Sequence, residues 1–314
     1  MSVAATSWIL SEGYAGLQAQ ALGLAEAAGL RPDLRVLAPR APWKWITASL
    51  WPAPLAVVAD AVRAPLPELV IGCGGVAAAV GAALRRGGRP VVQVQHPRMD
   101  PRRFDLIVVN RHDELTGPNV VVTRTALHRV TPARLTAAAD AWRARFAHLR
   151  RPLVAVLIGG SNGRFRLDAA VGRELAGQLA AMMREDRVGV AVTPSRRTDP
   201  AVTRVLTETL APLGGDVWDG SGDNPYFGML ALADAIVVTV DSVSMISEAV
   251  ATSAPVMLAK LPGRSRRNNL FTESLLRDGR VRAFTGRLEL WPAAPLNDTP
   301  QAAAEMCRRL GLSC

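Results

Sequence analysis

Short blocks of β-branched and aliphatic residues recur along the chain, each closed by small or polar residues and followed by a longer Ala/Leu-rich stretch. Ser7–Leu10, Leu34–Leu37, Leu69–Ile71, Val91–Val94, Leu106–Val109 and Val120–Thr123 read as strands, with helices predicted over Leu17–Ala28, Val76–Arg86 and Ala133–Leu149. Arg150–Arg151–Pro152 stops the last of these and reads as a linker. The alternation then restarts. Val154–Ile158, Val188–Thr193, Asp216–Trp218, Ile236–Val240 and Val256–Leu258 are strand-like, and helices are predicted over Asp168–Arg184, Asp199–Ala211, Ser244–Ala251 and Thr299–Gly311. Strands that alternate with helices build βαβ units, and near-continuous apolar strands are buried in parallel sheets. The pattern predicts an α/β protein of two doubly wound, Rossmann-like domains facing a cleft. Residues 1–151 form the first and 152–298 the second, with a last helix in 299–314 able to pack back across the linker. No fixed sequence period recurs.

Size and composition agree with two cores: 314 residues exceed what one core usually supports, and 49% are hydrophobic. The formal charge of +10 points to an anionic partner. Lys44 and Lys260 are the only lysines, however, and the arginines are spread through the chain, as a GC-rich coding composition would give. That dispersal argues against nucleic acid and leaves a phosphorylated ligand or an anionic membrane surface. Cys73, Cys307 and Cys314 have no paired or metal-like spacing, so neither a disulfide framework nor a zinc site is expected. The amino end lacks the charge and apolar core of a signal peptide. The longest apolar run, Leu69–Leu84, falls short of the ~20 residues of a spanning helix. The expectation is a cytoplasmic protein, in places peripheral on a membrane.

Two turns carry the clearest chemistry. Gly159–Gly163 (GGSNG) follows the Val154–Ile158 strand, and Asp241–Ser244 follows Ile236–Val240 and leads into a helix with Glu248. Turns at the carboxyl ends of parallel strands are where open α/β sheets bind ligands, and exposed amides at a helix N-terminus suit phosphate. Gly160, Ser161, Asn162 and Gly163 would offer backbone and side-chain donors. Ser242 and Ser244 would contact phosphate, although capping alone accounts for one of them. Glu248 lies one turn after Ser244, where a carboxylate could accept two ribose hydroxyls or stand as a solvated helix acid.

Gly72-x-Gly74-x-x-Ala77 fits a dinucleotide fingerprint, but no carboxylate follows at the ribose position, so a tight packing turn is the better reading and no cofactor is predicted. Gly13 and Gly16 open a further helix, and Gln95 and His96 end a strand. Glu12, His96 and Asp100 are the candidate bases, against the commoner structural role of a lone histidine. Arg124 and Arg129 could clamp a phosphate. Trp43, Trp45 and Trp51 around Lys44 suit a membrane interface, or a loop packed on the core. No metal is expected, since His96, His112 and His128 lack ligand spacing.

Taken together, SEGYAGLQAQALGLAEA, VIGCGGVAAAV, QHPRMDPRRFDLIVVNRHDEL, ALHRVTP, VLIGGSNGRFRLD, TPSRRT, DNPYFGMLALADAIVVTVDSVSMISEA and AKLPGRSRRNNLF resemble the bacterial relatives of the plant elongated-mitochondria fission family. The second half is more distantly similar to GT-B glycosyltransferases, such as the peptidoglycan lipid-linked N-acetylglucosaminyltransferase. The resemblance implies a GT-B-like fold with a nucleotide diphosphate on Gly160, Ser161, Asn162 and Gly163. It places the ribose on Ser244 and Glu248 and the donor sugar near Asn268 and Asn269. The enzyme's amino-terminal glycine loop carries a histidine, whereas Gly13–Leu17 here has none. The expected function is binding of a nucleotide-sugar and its transfer in cell-envelope glycan synthesis. The alternatives are a membrane-associated adaptor without catalysis and a nucleotide-sugar epimerase.

Overall fold

A computed structural model describes residues 5–63 and 65–313. The chain divides into two compact units, one formed by the residues up to Arg129 together with those from Asn297 onward, the other by Val130–Leu296. The first holds β1 (Thr6–Ser11), α1 (Ala15–Ala27), β2 (Arg31–Val36), the short α2 (Pro54–Val57), β3 (Leu69–Cys73), α3 (Gly75–Arg86), β4 (Val91–Val94), β5 (Leu106–Asn110) and β6 (Val120–Thr123). All six strands are parallel, in the order β2-β1-β3-β4-β5-β6. Successive residues point to opposite faces of a sheet. Leu10, Val70 and Ile107 therefore pack on one side with α3, while Ile9, Ile71, Leu106 and Val108 pack on the other with Leu24 of α1.

The second unit holds α4 (Pro132–Phe146), β7 (Leu153–Ile158), α5 (Ala169–Glu185), β8 (Gly189–Pro194), α6 (Pro200–Leu210), β9 (Asp216–Val217), α7 (Tyr226–Leu232), β10 (Ala235–Thr239), α8 (Val243–Val250), β11 (Val256–Ala259), α9 (Arg266–Arg277) and β12 (Val281–Ala283). Its sheet is also parallel, ordered β12-β11-β10-β7-β8-β9. Helix α4 belongs here because Trp142 packs so closely on α7 that a Cβ on Gly228 would lie 2.3 Å from its ring. The last helix, α10 (Thr299–Leu310), belongs to the first unit, where Ala302, Ala303 and Met306 join the core formed with α1.

Four elements were not foreseen: α2, α7, α9 and β12. The strand predicted over Leu34–Leu37 starts earlier, at Arg31. It lies at the sheet edge, where exposed residues carry no alternation and Pro32 is tolerated. One cysteine expectation is corrected, since Cys307 is disulfide-bonded. Spacing rules recognise frameworks of several bridges and miss a single one. Cys73 is free and buried, and burial pushes its thiol so far up that it is inert as a nucleophile. Cys314 lies outside the described residues, as do the first four residues of the amino-terminal stretch read for a signal peptide. Among the described residues no helix is long and apolar enough to cross a membrane.

Candidate functional site

In the second unit the chain runs from β7 outward through β8 and β9, then from β10 outward in the opposite direction. The loops leaving β7 and β10 therefore diverge, which opens a crevice at their carboxyl ends. The two turns singled out in the sequence lie there. A buried network joins them: Gly159 N–H donates to Thr239 Oγ1 (2.8 Å), which donates to Asp241 Oδ1 (2.7 Å), and Gly160 N–H donates to Asp241 Oδ2 (3.1 Å). Arg197, on the loop after β8, donates to Asp241 Oδ2 (2.9 Å) and to the Gly160 carbonyl (3.1 Å). Asp241 is thus an internal counter-charge holding the turn shut. Both glycines are required by close approach, since a Cβ would lie 2.2 Å from the Asp241 carboxylate at Gly159 and 2.2 Å from the Arg197 carbonyl at Gly160.

Beyond Gly160 the loop folds on itself. Ser161 Oγ accepts from Leu167 N–H (2.8 Å) and donates to its carbonyl (3.1 Å), and Asn162 Oδ1 accepts from the amides of Arg164 (2.8 Å) and Phe165 (2.9 Å). Arg166 N–H to Pro262 O (2.8 Å) and Arg264 N–H to Arg164 O (3.0 Å) pin it to the segment after β11. This corrects the expectation that Ser161 and Asn162 act as free side-chain donors: apart from the Asn162 NH₂ group they shape the loop. The backbone amides of Ser161 and Gly163 are left without a partner among the described residues. A second correction concerns the helix. Helix α5 begins only at Ala169, and Asp168 caps it by accepting from Ala170 and Val171 (both 3.0 Å), so the glycine turn is not its N-terminus.

The other turn does open directly into a helix. Ser242 caps α8 through a long bond from Met245 N–H (3.4 Å), while the first-turn amides of Val243 and Ser244 have no partner within the helix. The Ser244 hydroxyl makes no hydrogen bond among the described residues. At the far end, the buried Arg280 guanidinium donates to the carbonyls of Val250 (2.9 Å), Thr252 (2.7 Å) and Ala254 (3.3 Å). A cation there complements the helix dipole, and burial lowers its pKa to about 10.

Glu248 lies one turn beyond Ser244, buried, with Oε2 accepting a short hydrogen bond from the Tyr226 hydroxyl at the start of α7. Burial pushes its carboxyl up to about 7, and the Tyr226 bond only partly opposes this. The same burial and the neighbouring Glu248 raise the Tyr226 phenol well above its usual value, so it stays a donor. Asn268 departs from its expected role, because its NH₂ group donates to the carbonyls of Val240 and Asp241 (both 3.2 Å), tying α9 to the turn. Asn269 makes no such bond. It lines a cavity of about 300 Å³ walled by Phe165, Val240, Leu258 and Leu276, with Lys260 at its edge. Tyr226, Arg197 and Thr239 escaped the sequence analysis, since spacing relates none of them to the turns they support.

In the first unit the predicted polar residues are largely committed to one another. Glu12 Oε1 accepts from Val76 N–H (3.0 Å), so the N-terminus of α3 is capped by a carboxylate of the protein, and Glu12 is not a free base. A Cβ on Gly74 (φ +104°) would lie 2.8 Å from that oxygen, in keeping with a packing turn. Asp100 is bound by Arg102 through both backbone (3.0 Å) and guanidinium (2.8 Å), which pulls its carboxyl down to about 2 and makes it a weak base. Arg129 is paired with Glu26 of α1, and Arg124 donates to Asp298 (2.6 Å) at the head of α10, so neither is a phosphate clamp. Gly13 (φ +84°) turns the chain into α1, which contains Gly16. Gln95 donates to Gln20 Oε1 (3.3 Å), and His96 Nδ1 accepts from Arg98 N–H (2.9 Å). Among the described residues no group of three or more His, Cys, Asp or Glu is placed to hold a metal.

Residues 15–310 match the profile of a family described as mitochondrial fission ELM1. The chain belongs to that family. It is 36% identical over 278 residues to the mitochondrial fission protein ELM1 of Arabidopsis thaliana, covering 78% of this chain and 64% of the plant protein, so it spans under two-thirds of that relative. Among solved structures it resembles MurG of Acinetobacter baumannii (TM-score 0.53, 15% identity, 98% of this chain and 90% of that one). It also resembles the UDP-GlcNAc 2-epimerase of Neisseria meningitidis bound to UDP-GlcNAc (TM-score 0.51, 11% identity, 97% and 99%). At such identities the likeness establishes the fold, a two-domain α/β fold of GT-B type.

Proposed function

We propose that the second unit binds a nucleoside diphosphate sugar and that the protein is a glycosyltransferase of cell-envelope glycan synthesis. The observation that carries this reading is the pair of turns at the β7/β10 switch point with open amides, backed by a buried carboxylate one helical turn away. The diphosphate oxygens accept from the amides of Ser161 and Gly163, from the first turn of α8 and from the Ser244 hydroxyl. The ribose hydroxyls donate to Glu248, whose partner Tyr226 holds the carboxylate in place. The sugar lies towards Asn269. The named ligand of the Neisseria epimerase structure supports a UDP-sugar as the first class to test.

The acceptor falls to the first unit, on Gly13, Gly16, Gln95 and His96. With Glu12 and Asp100 committed elsewhere, His96 is the remaining candidate base of the first unit, and it serves by giving up the bond its Nδ1 accepts from Arg98 N–H (2.9 Å). In transfer the acceptor's hydroxyl loses its proton, its oxygen bonds to the anomeric carbon, and the nucleoside diphosphate leaves. The test is release of UDP from UDP-sugars in the presence of lipid and glycan acceptors, with product mass measured. Transfer that is lost in His96→Ala while nucleotide affinity persists supports the reading. Isomerisation of the donor without any acceptor would assign the epimerase chemistry that the second structural neighbour's name describes. Neither reaction from a folded protein that binds nucleotide would leave binding without catalysis.

A further inference from the structure

The residues between β2 and α2 form a loop of two single 3₁₀ turns, Trp43–Trp45 and Ala48–Leu50. Two of its tryptophans fix it in place. Trp51 is buried and donates from Nε1 to Ile46 O (3.1 Å), and Trp43 meets it edge-to-face at 6.4 Å while packing on the sheet core. Two other large side chains do the opposite: Trp45 is 74% exposed and Leu50 is 72% exposed. Single exposed hydrophobes are ordinary on protein surfaces. Here, though, five of the ten large exposed hydrophobics of the described residues fall between Leu34 and Leu50, and three of them, Trp45, Ile46 and Leu50, belong to this one loop.

The charge around these side chains selects their partner. Lys44 sits over the Trp45 ring at 4.8 Å, and Arg40 is exposed beside it. No Asp or Glu occurs from Leu34 to Ala59, and the next, Asp60, is paired with Arg63 (2.6 Å) and more loosely with Arg40 (3.9 Å), which among the described residues leaves Lys44 as the unpaired cation beside Trp45. Tryptophan and leucine flanked by cations without acids match the boundary between headgroups and acyl chains, where an indole is buried and an ammonium reaches anionic phosphate. We infer that the 40–51 loop anchors the protein on an anionic lipid bilayer. The rigid Trp43–Trp51 pair presents the tips ready-made, so insertion needs no reordering of the loop. The net charge of +10 adds a long-range attraction to the same surface.

The test is sedimentation of the full chain with vesicles of phosphatidylcholine alone or with about one-third phosphatidylglycerol. The wild type pellets with the anionic vesicles and is released by salt, and Trp45→Ser/Leu50→Ser lowers partitioning at least about tenfold. Brominated lipid quenches the wild-type tryptophan fluorescence, and this quenching is lost in Trp45→Ser. Both side chains are exposed, so the variant keeps its unfolding midpoint and its nucleotide affinity, which separates this inference from the donor site. Wild type that stays in the supernatant, or a double variant that pellets equally well, overturns the inference. So does a variant that merely turns a dimer into a monomer, which would give the patch and the exposed edge strand β2 to a second copy.

Discussion

Glu248 is a carboxylate whose charge is in play near neutrality, and its consequences run in opposite directions for the empty and the liganded protein. In the folded chain it keeps its proton up to about 7, against 4.5 in the unfolded one, so the unliganded protein loses stability as pH rises from about 4.5 through 7. Glu248→Gln should flatten that slope in thermal unfolding across the same range. An ionised carboxylate accepts stronger hydrogen bonds from the two ribose hydroxyls than a protonated one, so nucleotide affinity should rise with pH through about 7. Tyr226→Phe removes the hydrogen bond that favours the ionised form and should move this rise to higher pH. A different kind of residue-level constraint acts at Gly159, where a Cβ would meet the Asp241 carboxylate at 2.2 Å. Gly159→Ala should cost about 3 kcal/mol in denaturant unfolding, through overpacking of a network that cannot yield without unpairing Asp241.

Helix α8 is the element that turns this chemistry into a site, because its two ends are treated differently. Its N-terminus keeps open amides, while its C-terminal carbonyls are filled by the buried Arg280. Arg280→Met should destabilise the protein by about 2 kcal/mol and loosen α8, seen as faster amide exchange at Ala249 and Val250. The value of that contact was invisible in the sequence, where Arg280 reads as one of many dispersed arginines. The strands were legible because a buried parallel strand is an apolar run whatever surrounds it: Val154–Ile158 and Ile236–Val240 sit where they were expected, at the centre of their sheet. Elements without that signature were missed. Helix α7 is seven residues long with apolar side chains all round, and β12 is a three-residue edge strand with one buried position. The site was legible as two turns. The fates of Ser161, Asn162 and Asn268 were not, because each depends on a hydrogen-bond partner that only folding brings near.

Over the whole molecule, two similar sheets have been put to unequal use. In the first unit the candidate polar groups are committed to partners within it, as with Glu12 on the α3 amide, Arg129 on Glu26 and Asp100 on Arg102, although Ser11 Oγ at the end of β1 is buried without one among the described residues. In the second, a buried network supports the amides of Ser161 and Gly163, which have no hydrogen-bond partner among the described residues. That contrast makes nucleotide binding by the second unit the central claim. The most direct test is calorimetric titration of the full chain with UDP, GDP, ADP and CDP, repeated on Glu248→Gln. Saturable binding of one base, weakened about tenfold or more by loss of the charged acceptor, is the result the account predicts. No binding of any of the four to the folded protein, or affinity unchanged in Glu248→Gln, would contradict it.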